Sequence, residues 1–157
     1  MQATLDRHEA AGTTAAREYE AASTEFYRRH VCRLDPWPNS LMRTFEQLNH
    51  AIYGRMQGPN EFVINGIHKD YDLTPRLPEI TVPTLFTCGR YDEMRPEDTG
   101  WYASLVPGAE FVVFEESSHM AHLEEPGRCQ QVLRDFQRRA GARQSKDDRP
   151  RHPRSLT

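Results

Sequence analysis

An aspartate and a histidine in this sequence are spaced as the acid and the base of a catalytic triad would be. Asp92 follows a short apolar run that ends at Gly89, and His119 follows a second such run 27 residues further on. This spacing leaves room for one helix and one strand, so parallel strands would bring both loops to the same edge of a sheet. Taken singly, Asp92 is better explained as a helix cap and His119 as a loop histidine. Their joint placement favours an acid–base pair.

Such a pair needs a nucleophile. The aspartate accepts a hydrogen bond from the imidazole Nδ1, and the histidine then takes the proton of a serine hydroxyl. In α/β-hydrolases that serine precedes both partners, within a Gly-x-Ser-x-Gly motif. No such motif occurs before Asp92, and no His-Gly-Gly oxyanion loop occurs anywhere in the 157 residues. Ser117 and Ser118 come after the acid, which indicates loop-shaping residues. The sequence therefore looks like the second half of such a hydrolase.

The elements around this pair follow a strand–helix–strand–helix order. The sequence predicts these four elements at residues 82–88, 96–105, 109–114 and 124–139. Val132, Leu133 and Phe136 would face inward from the last helix, which is amphipathic. Such an order is typical of parallel strands joined by right-handed crossovers, so the predicted fold class is α/β.

The first 57 residues predict helices, because Ala, Glu, Arg and Gln dominate and no strand-like alternation occurs. The prolines within residues 35–38 must end a helix, since proline fixes φ and lacks a backbone donor. Asn39 or Ser40 would cap a third helix that runs to about residue 55. Residues 61–64 are a short extended candidate.

Charge is unevenly distributed along the chain, whose formal net charge is −3. Residues 138–154 contain seven Lys and Arg against two Asp, so the remainder is acidic. A basic, proline-containing terminus is typical of a solvated segment, and we predict a disordered tail over residues 140–157 and no nucleic-acid partner. The hydrophobic content of 37% is low for a self-sufficient α/β core.

Cysteine and histidine usage argues against a disulfide framework and against a metal site. The three cysteines lie far apart without a Cys-x-x-Cys pair, which favours buried free thiols in a reducing compartment. His119-x-x-His122-x-Glu124-Glu125 lacks the helical His-Glu-x-x-His arrangement of a metal cluster. Residues 1–16 lack the apolar core of a signal peptide, and no apolar run reaches the ~18 residues of a membrane span. We therefore expect a cytoplasmic protein with no metal site and no membrane partner.

Several motifs carry a family resemblance that covers residues 5–139. The matching segments are Phe26-Tyr27-Arg28-Arg29-His30-Val31-Cys32-Arg33-Leu34-Asp35-Pro36-Trp37-Pro38, Gly58-Pro59-Asn60-Glu61-Phe62, Val82-Pro83-Thr84-Leu85, Gly89-Arg90-Tyr91-Asp92-Glu93, Ser117-Ser118-His119-Met120 and Leu123-Glu124-Glu125-Pro126. On these motifs the chain resembles the C-terminal half of a proline iminopeptidase, a serine aminopeptidase of the α/β-hydrolase superfamily. The first segment and the glutamate directly after the acid narrow the resemblance to this family.

The resemblance implies a partial α/β-hydrolase fold, with a helical cap over residues 1–79 and the last two β–α units of the catalytic domain over residues 80–139. Asp92 and His119 match the family's triad acid and base. Glu61 and Glu93 match the carboxylates that grip the free α-amino group of the substrate, although without the resemblance Glu61 is better explained as a solvated residue. Two carboxylates in a water-poor cleft would recognise a cationic N-terminus.

The activity implied by the resemblance is release of an N-terminal residue, preferably proline, from short peptides with a free N-terminus. The reaction would be serine acyl transfer without a metal or organic cofactor. Because the family's serine and oxyanion loop are absent from the 157 residues, we expect this chain to be inactive alone and its partner to be a missing N-terminal half. Two alternatives stay open: a non-catalytic binding module, and a fragment of another α/β-hydrolase such as an esterase.

Overall fold

Helices make up the first half of the chain, and a small sheet with its own helices makes up the second. The computed structural model describes residues 1–61 and 63–147. In these ranges the α-helices are α1 (Gln2–Ala10), α2 (Arg17–His30), α3 (Asn39–Glu46), α4 (His50–Met56), α5 (Pro96–Leu105), α6 (Ala121–Glu124) and α7 (Pro126–Asp147). The strands are β1 (Leu85–Gly89) and β2 (Glu110–Phe114), and two 3-10 turns, Ile67–Asp70 and Thr74–Glu79, precede them.

The helical first half agrees with the sequence prediction except in its third helix, which is two helices. The first of them begins at Asn39 itself, so neither Asn39 nor Ser40 caps it as predicted. The side chain of Asn49 accepts a hydrogen bond from the backbone N–H of Ile52 at 3.1 Å and so caps α4 as a separate element. Asparagine is favoured at this position because its oxygen satisfies an amide that the first helical turn leaves unpaired. Residues 47–49 therefore separate α3 from α4, ahead of the loop that carries Glu61.

That loop, of which residues 57–61 and 63–66 are described, stands where the sequence predicts an extended segment at residues 61–64. Residues 61, 63 and 64 form no strand, because the loop folds back on itself: Asn65 and Gly66 donate their backbone N–H groups to the carbonyl of Gln57 at 3.0 and 2.9 Å. Gly58 has a φ of 141°, and a side chain there would collide with the carbonyl of Val63. Only glycine tolerates this backbone conformation and this close approach.

β1 and β2 pair in parallel, as the sequence predicted, with Leu85 opposite Glu110 and Gly89 opposite Phe114. Helix α5 connects the strands and packs on both of them. It begins at Pro96, whose fixed φ suits a first helical turn. Because the strands run in the same direction, the segments that follow Gly89 and Phe114 leave the sheet at the same end, where both strands have their carboxyl ends. In the described part of the chain the sheet has two strands, so one edge of β1 has no strand beside it.

The last helical region differs from its prediction in two respects. Helix α7 continues to Asp147, so residues 140–147 of the predicted disordered tail are helical, and the rest of that tail lies outside the described residues. Leu133 does not face inward, since 46% of it is exposed. The partly buried stripe runs instead through Cys129, Val132 and Phe136, at helical spacing, and Leu133 lies beside it.

No helix in the described ranges combines the length and the apolar character needed to cross a membrane. The division into a cap over residues 1–79 and a partial catalytic domain over residues 80–139 stays a prediction.

Candidate functional site

Asp92 and His119 lie side by side where the two strands end. The Nδ1 atom of His119 is 3.0 Å from Oδ1 of Asp92, within hydrogen-bonding distance. The Asp92 side chain is 5% exposed, whereas 47% of the His119 side chain is exposed. A buried carboxylate therefore orients an accessible imidazole, which is the geometry that a triad acid and base require.

Backbone contacts hold Asp92 in this position. Its Oδ2 accepts a hydrogen bond from the N–H of Gly89 at 3.2 Å, and its Oδ1 accepts one from the N–H of Met94 at 3.0 Å. The loop is fastened to the opposite one by a 3.0 Å hydrogen bond from the N–H of Tyr91 to the carbonyl of Ser117. A Cβ atom at Gly89 would overlap the carbonyl oxygens of Ser117 and Ser118, which lie in the loop that carries His119, here called the base loop. Glycine is therefore needed for the two loops to approach each other.

The contact with Asp92 also determines which nitrogen of His119 is free. A carboxylate only accepts hydrogen bonds, so Nδ1 carries the proton and Nε2 presents a lone pair. The hydrogen bond that His119 donates to Asp92 raises the pKa of His119, and the charges of Glu93 and Glu61 act in the same direction, against the opposing effect of burial. His119 is therefore a stronger base than a free histidine, with an available Nε2.

A cavity of about 170 Å³ opens beside His119. Its polar lining includes three of the four residues predicted from the sequence, Glu61, Glu93 and His119, while Asp92 contacts His119 outside that lining. The remaining lining residues are Val31, Leu41, Thr44, Phe45, Leu48 and Met120, most of them apolar. The structure thus brings a residue of the helical half, Glu61, to the acid–base pair of the sheet half.

Glu93 is the least satisfied polar group of this site. Its Oε2 is buried and accepts no hydrogen bond within the part of the chain that the structure describes. Burial raises the pKa of Glu93 to about 6; the charges of Glu61 and Asp92 add to this rise, and that of His119 opposes it. Ionised Glu93 is a buried negative charge without a partner, which is costly unless a cation binds beside it.

Glu61 is held by Tyr27 of α2, by Tyr53 of α4 and by Gln57, which follows α4. Its backbone N–H lies 3.4 Å from the hydroxyl of Tyr27, and its carbonyl accepts a hydrogen bond from Nε2 of Gln57 at 3.1 Å. Burial raises the pKa of Tyr53 above its ordinary value, and a hydrogen bond to the Glu61 carboxylate raises it further. The sequence does not single out Tyr27 or Tyr53, because aromatic residues on a helix face are typical of ordinary packing.

The serines of the base loop are not available as nucleophiles. Ser117 and Ser118 are completely buried, and their hydroxyls donate hydrogen bonds to the carboxylates of Glu125, at 2.6 Å, and Glu124, at 2.9 and 3.0 Å. Burial also raises the pKa of the Cys88 thiol, which disfavours its reactive form. Among the described residues that line the cavity there is no serine or cysteine.

The described residues contain no group of three His, Cys, Asp or Glu side chains placed to hold a metal ion. Glu124 and Glu125, part of the sequence pattern that resembles a metal cluster, are engaged by the two serines.

Known proteins with similar sequences and structures form a consistent set. A proline iminopeptidase of Heyndrickxia coagulans is 44% identical over 137 residues, which cover 87% of this chain and 48% of that protein. The crystal structure of a proline iminopeptidase from Mycobacterium smegmatis has a TM-score of 0.78 at 38% identity, covering 88% of this chain and 47% of its own. The crystal structure of VinJ has a TM-score of 0.82 at 42% identity, covering 88% and 48%. No protein-family model matches the chain. The chain spans about half the length of the curated relatives it matches.

Proposed function

We propose a function from one premise: the chain is homologous to the C-terminal part of proline iminopeptidases and has a partial α/β-hydrolase fold. The proposal is that this chain supplies the acid, the base and the amine-binding carboxylates of a prolyl aminopeptidase. Asp92 and His119 are the acid and the base, and Glu61 and Glu93 bind the substrate's N-terminal ammonium. The serine nucleophile is contributed by a segment outside the 157 residues.

The observation that carries this proposal is the buried, unpaired oxygen of Glu93 in a cavity that it shares with Glu61 and His119. A cationic amine placed between the two carboxylates would supply the missing partner through charge-assisted hydrogen bonds. The apolar walls would take the proline ring. At about 170 Å³ the cavity is smaller than the ~300–1,000 Å³ typical of sites for drug-sized ligands, which suits one terminal residue.

In the proposed reaction His119 carries a proton from the serine to the leaving amine. The Nε2 atom of His119 takes the serine hydroxyl proton as the serine oxygen attacks the carbonyl carbon of the first residue. Asp92 stabilises the imidazolium that forms. His119 then returns the proton to the leaving amine, and a water molecule later releases the N-terminal residue from the serine. The free edge of β1 offers a place for a further strand, such as one from the half that carries the serine.

Binding of L-prolinamide tests the amine site in the chain as it stands. Between pH 5 and 7.5 we expect affinity to increase as pH rises through about 6, because Glu93 must lose its proton to pair with the ammonium. His119 also loses its positive charge as pH rises, and the loss of its repulsion of the ammonium adds to the increase in affinity. We expect Glu93→Gln to weaken binding about 10- to 100-fold above pH 7 and to flatten this dependence, measured by isothermal titration calorimetry.

Glu97→Gln is the matched control, because Glu97 is exposed four residues further on and does not line the cavity. Its affinity for prolinamide should equal that of the unsubstituted chain. The amine site would be refuted if N-acetylprolinamide, which has no ammonium, bound as tightly as prolinamide.

Turnover is expected to be absent from the purified 157-residue chain. Acid and base alone cannot form the covalent intermediate, and Ser117 and Ser118 are buried. The measurement is release of p-nitroaniline from proline p-nitroanilide, compared with a buffer blank. Release that persists through repurification and disappears in His119→Ala would contradict this expectation.

A non-catalytic amine-binding module is the second candidate, because the buried, unpaired Oε2 of Glu93 in the cavity supports amine binding whether or not turnover follows. Both candidates predict amine binding without turnover. They differ in whether a supplied nucleophile restores catalysis.

A further inference from the structure

We propose that Glu124 is a positioning residue for His119, and that its carboxylate ties the loop of the catalytic base to the end of cap helix α2. The proposal rests on the proposed function, since only there is His119 the base. Glu124 lies in the short helix α6, and its side chain does not line the cavity. It would act through the main chain of the residue before His119.

The hydrogen bonds of Glu124 reach two segments that are far apart in the sequence. Its Oε2 accepts a hydrogen bond from the backbone N–H of Ser118 at 2.7 Å, and the hydroxyl of the same serine lies within 3.0 Å of both carboxylate oxygens. Its Oε1 accepts a hydrogen bond from the backbone N–H of Arg33 at 2.7 Å. One carboxylate thereby joins the residue before His119 to the segment that follows helix α2.

The main chain on both sides of this link is paired in the same way. The backbone N–H of His119 donates to the carbonyl of His30 at 3.1 Å, and that of Met120 donates to the carbonyl of Val31 at 3.0 Å. The base loop therefore runs along the end of α2 and is held there at three successive residues. Because His30 also bonds through Nδ1 to the carbonyl of Tyr91 at 2.9 Å, the same helix end contacts the acid loop.

Burial makes the Glu124 link hard to replace. Ser118 is 0% exposed, so water cannot substitute for the carboxylate at its N–H and hydroxyl groups. A buried N–H or O–H group that is left without an acceptor destabilises the folded chain by the full free-energy cost of its removal from water. Only an ionised glutamate offers two acceptor oxygens here. A glutamine offers one oxygen and an NH₂ group, which would face a donor of Ser118 or Arg33.

The position of the His119 ring can be read from its own titration. The ionisable groups that face it are Asp92, at 3.0 Å, and the carboxylates of Glu93 and Glu61. A ring that moves away from Asp92 loses the hydrogen bond that favours its protonated form. A loosened base loop therefore lowers the pKa of His119, whereas a general loss of stability does not change it in the folded chain.

The experiment is an NMR titration of His119 in the full 157-residue chain labelled with ¹³C-histidine, its resonance assigned by its absence in His119→Gln. We expect Glu124→Gln to lower the pKa of His119 toward the ordinary value of a free histidine, because the ring loses part of its hydrogen bond to Asp92. Ser118→Ala, which changes no charge, should lower it in the same direction. Glu116→Gln is the control, because Glu116 is exposed and lies in the same loop. In the described hydrogen bonds Glu116 takes part only through its own backbone N–H and carbonyl groups.

An unchanged pKa of His119 in a folded Glu124→Gln chain would overturn the proposal, and so would an equal fall in Glu116→Gln. If Glu124→Gln gives no dispersed amide spectrum, Ser118→Ala decides alone, and an unchanged pKa there overturns the proposal. The outcome is independent of the amine site. Failure of the unsubstituted chain to bind prolinamide would refute the proposed function and leave the titration result unaffected.

Discussion

Asp92→Asn is expected to lower kcat about 10⁴-fold once the chain is supplied with a nucleophile. The assay protein is a chimera in which this chain replaces the matching part of the Heyndrickxia coagulans proline iminopeptidase, 44% identical over that part. An asparagine would hold the wrong tautomer of His119, with its NH₂ group toward Nδ1, so Nε2 would carry the proton and could not accept one from serine. We expect KM for proline p-nitroanilide to change little.

Asp98→Asn is the matched control for this change. Asp98 is an aspartate on helix α5 that forms a 2.8 Å ion pair with Arg95 at the protein surface, where the loss of such a pair has little effect on stability. Its kcat should stay within about twofold of the parent chimera. A chimera that keeps more than a tenth of its kcat after Asp92→Asn would show that Asp92 is not the triad acid. An inactive parent chimera with a folded structure would favour the non-catalytic module.

Glu61→Gln and Glu93→Gln in the same chimera are expected to separate substrates by their N-terminus. A hydrogen bond to a charged group contributes ~1.5–3 kcal/mol, so each substitution should lower kcat/KM for proline p-nitroanilide by about 10- to 100-fold. An N-acetylproline ester presents no ammonium, and its kcat/KM should change less than about threefold. If both carboxylates bind one ammonium, as proposed, the double variant should lose less than the product of the two single losses.

Glu97→Gln again controls for the loss of one negative charge near the site, and it should leave the ratio of the two substrates unchanged. Equal losses on the amine and the blocked ester in Glu61→Gln and Glu93→Gln would mean that these residues are scaffold. Asp92→Asn, in contrast, should depress both substrates alike, since it acts on the acyl-transfer step that they share.

Elements defined by local signals were predictable. Helix α5 begins and ends where the sequence predicts, because Pro96 suits a first turn and a proline–glycine turn follows Leu105. The second strand lies within its predicted range, the first is shifted and ends one residue later than predicted, and the two pair in parallel, since one crossover helix joins them. Two predictions were wrong because they depend on small differences between neighbouring positions. The break before α4 depends on the cap at Asn49. The exposure of Leu133 depends on a rotation of about 100° per residue around α7.

The amino-acid sequence was sufficient to predict that Asp92 follows one strand and His119 the next. Because these two strands pair in parallel, the contact between Asp92 and His119 follows from that order. It did not determine that Glu61 would share a cavity with Glu93, since the two residues belong to different halves of the chain. That meeting depends on the tight loop that follows α4 and on the packing of the helices in the first half of the chain. The raised pKa of Glu93 also arises only from tertiary structure, because burial and neighbouring charges act through space and leave no signature in the local sequence.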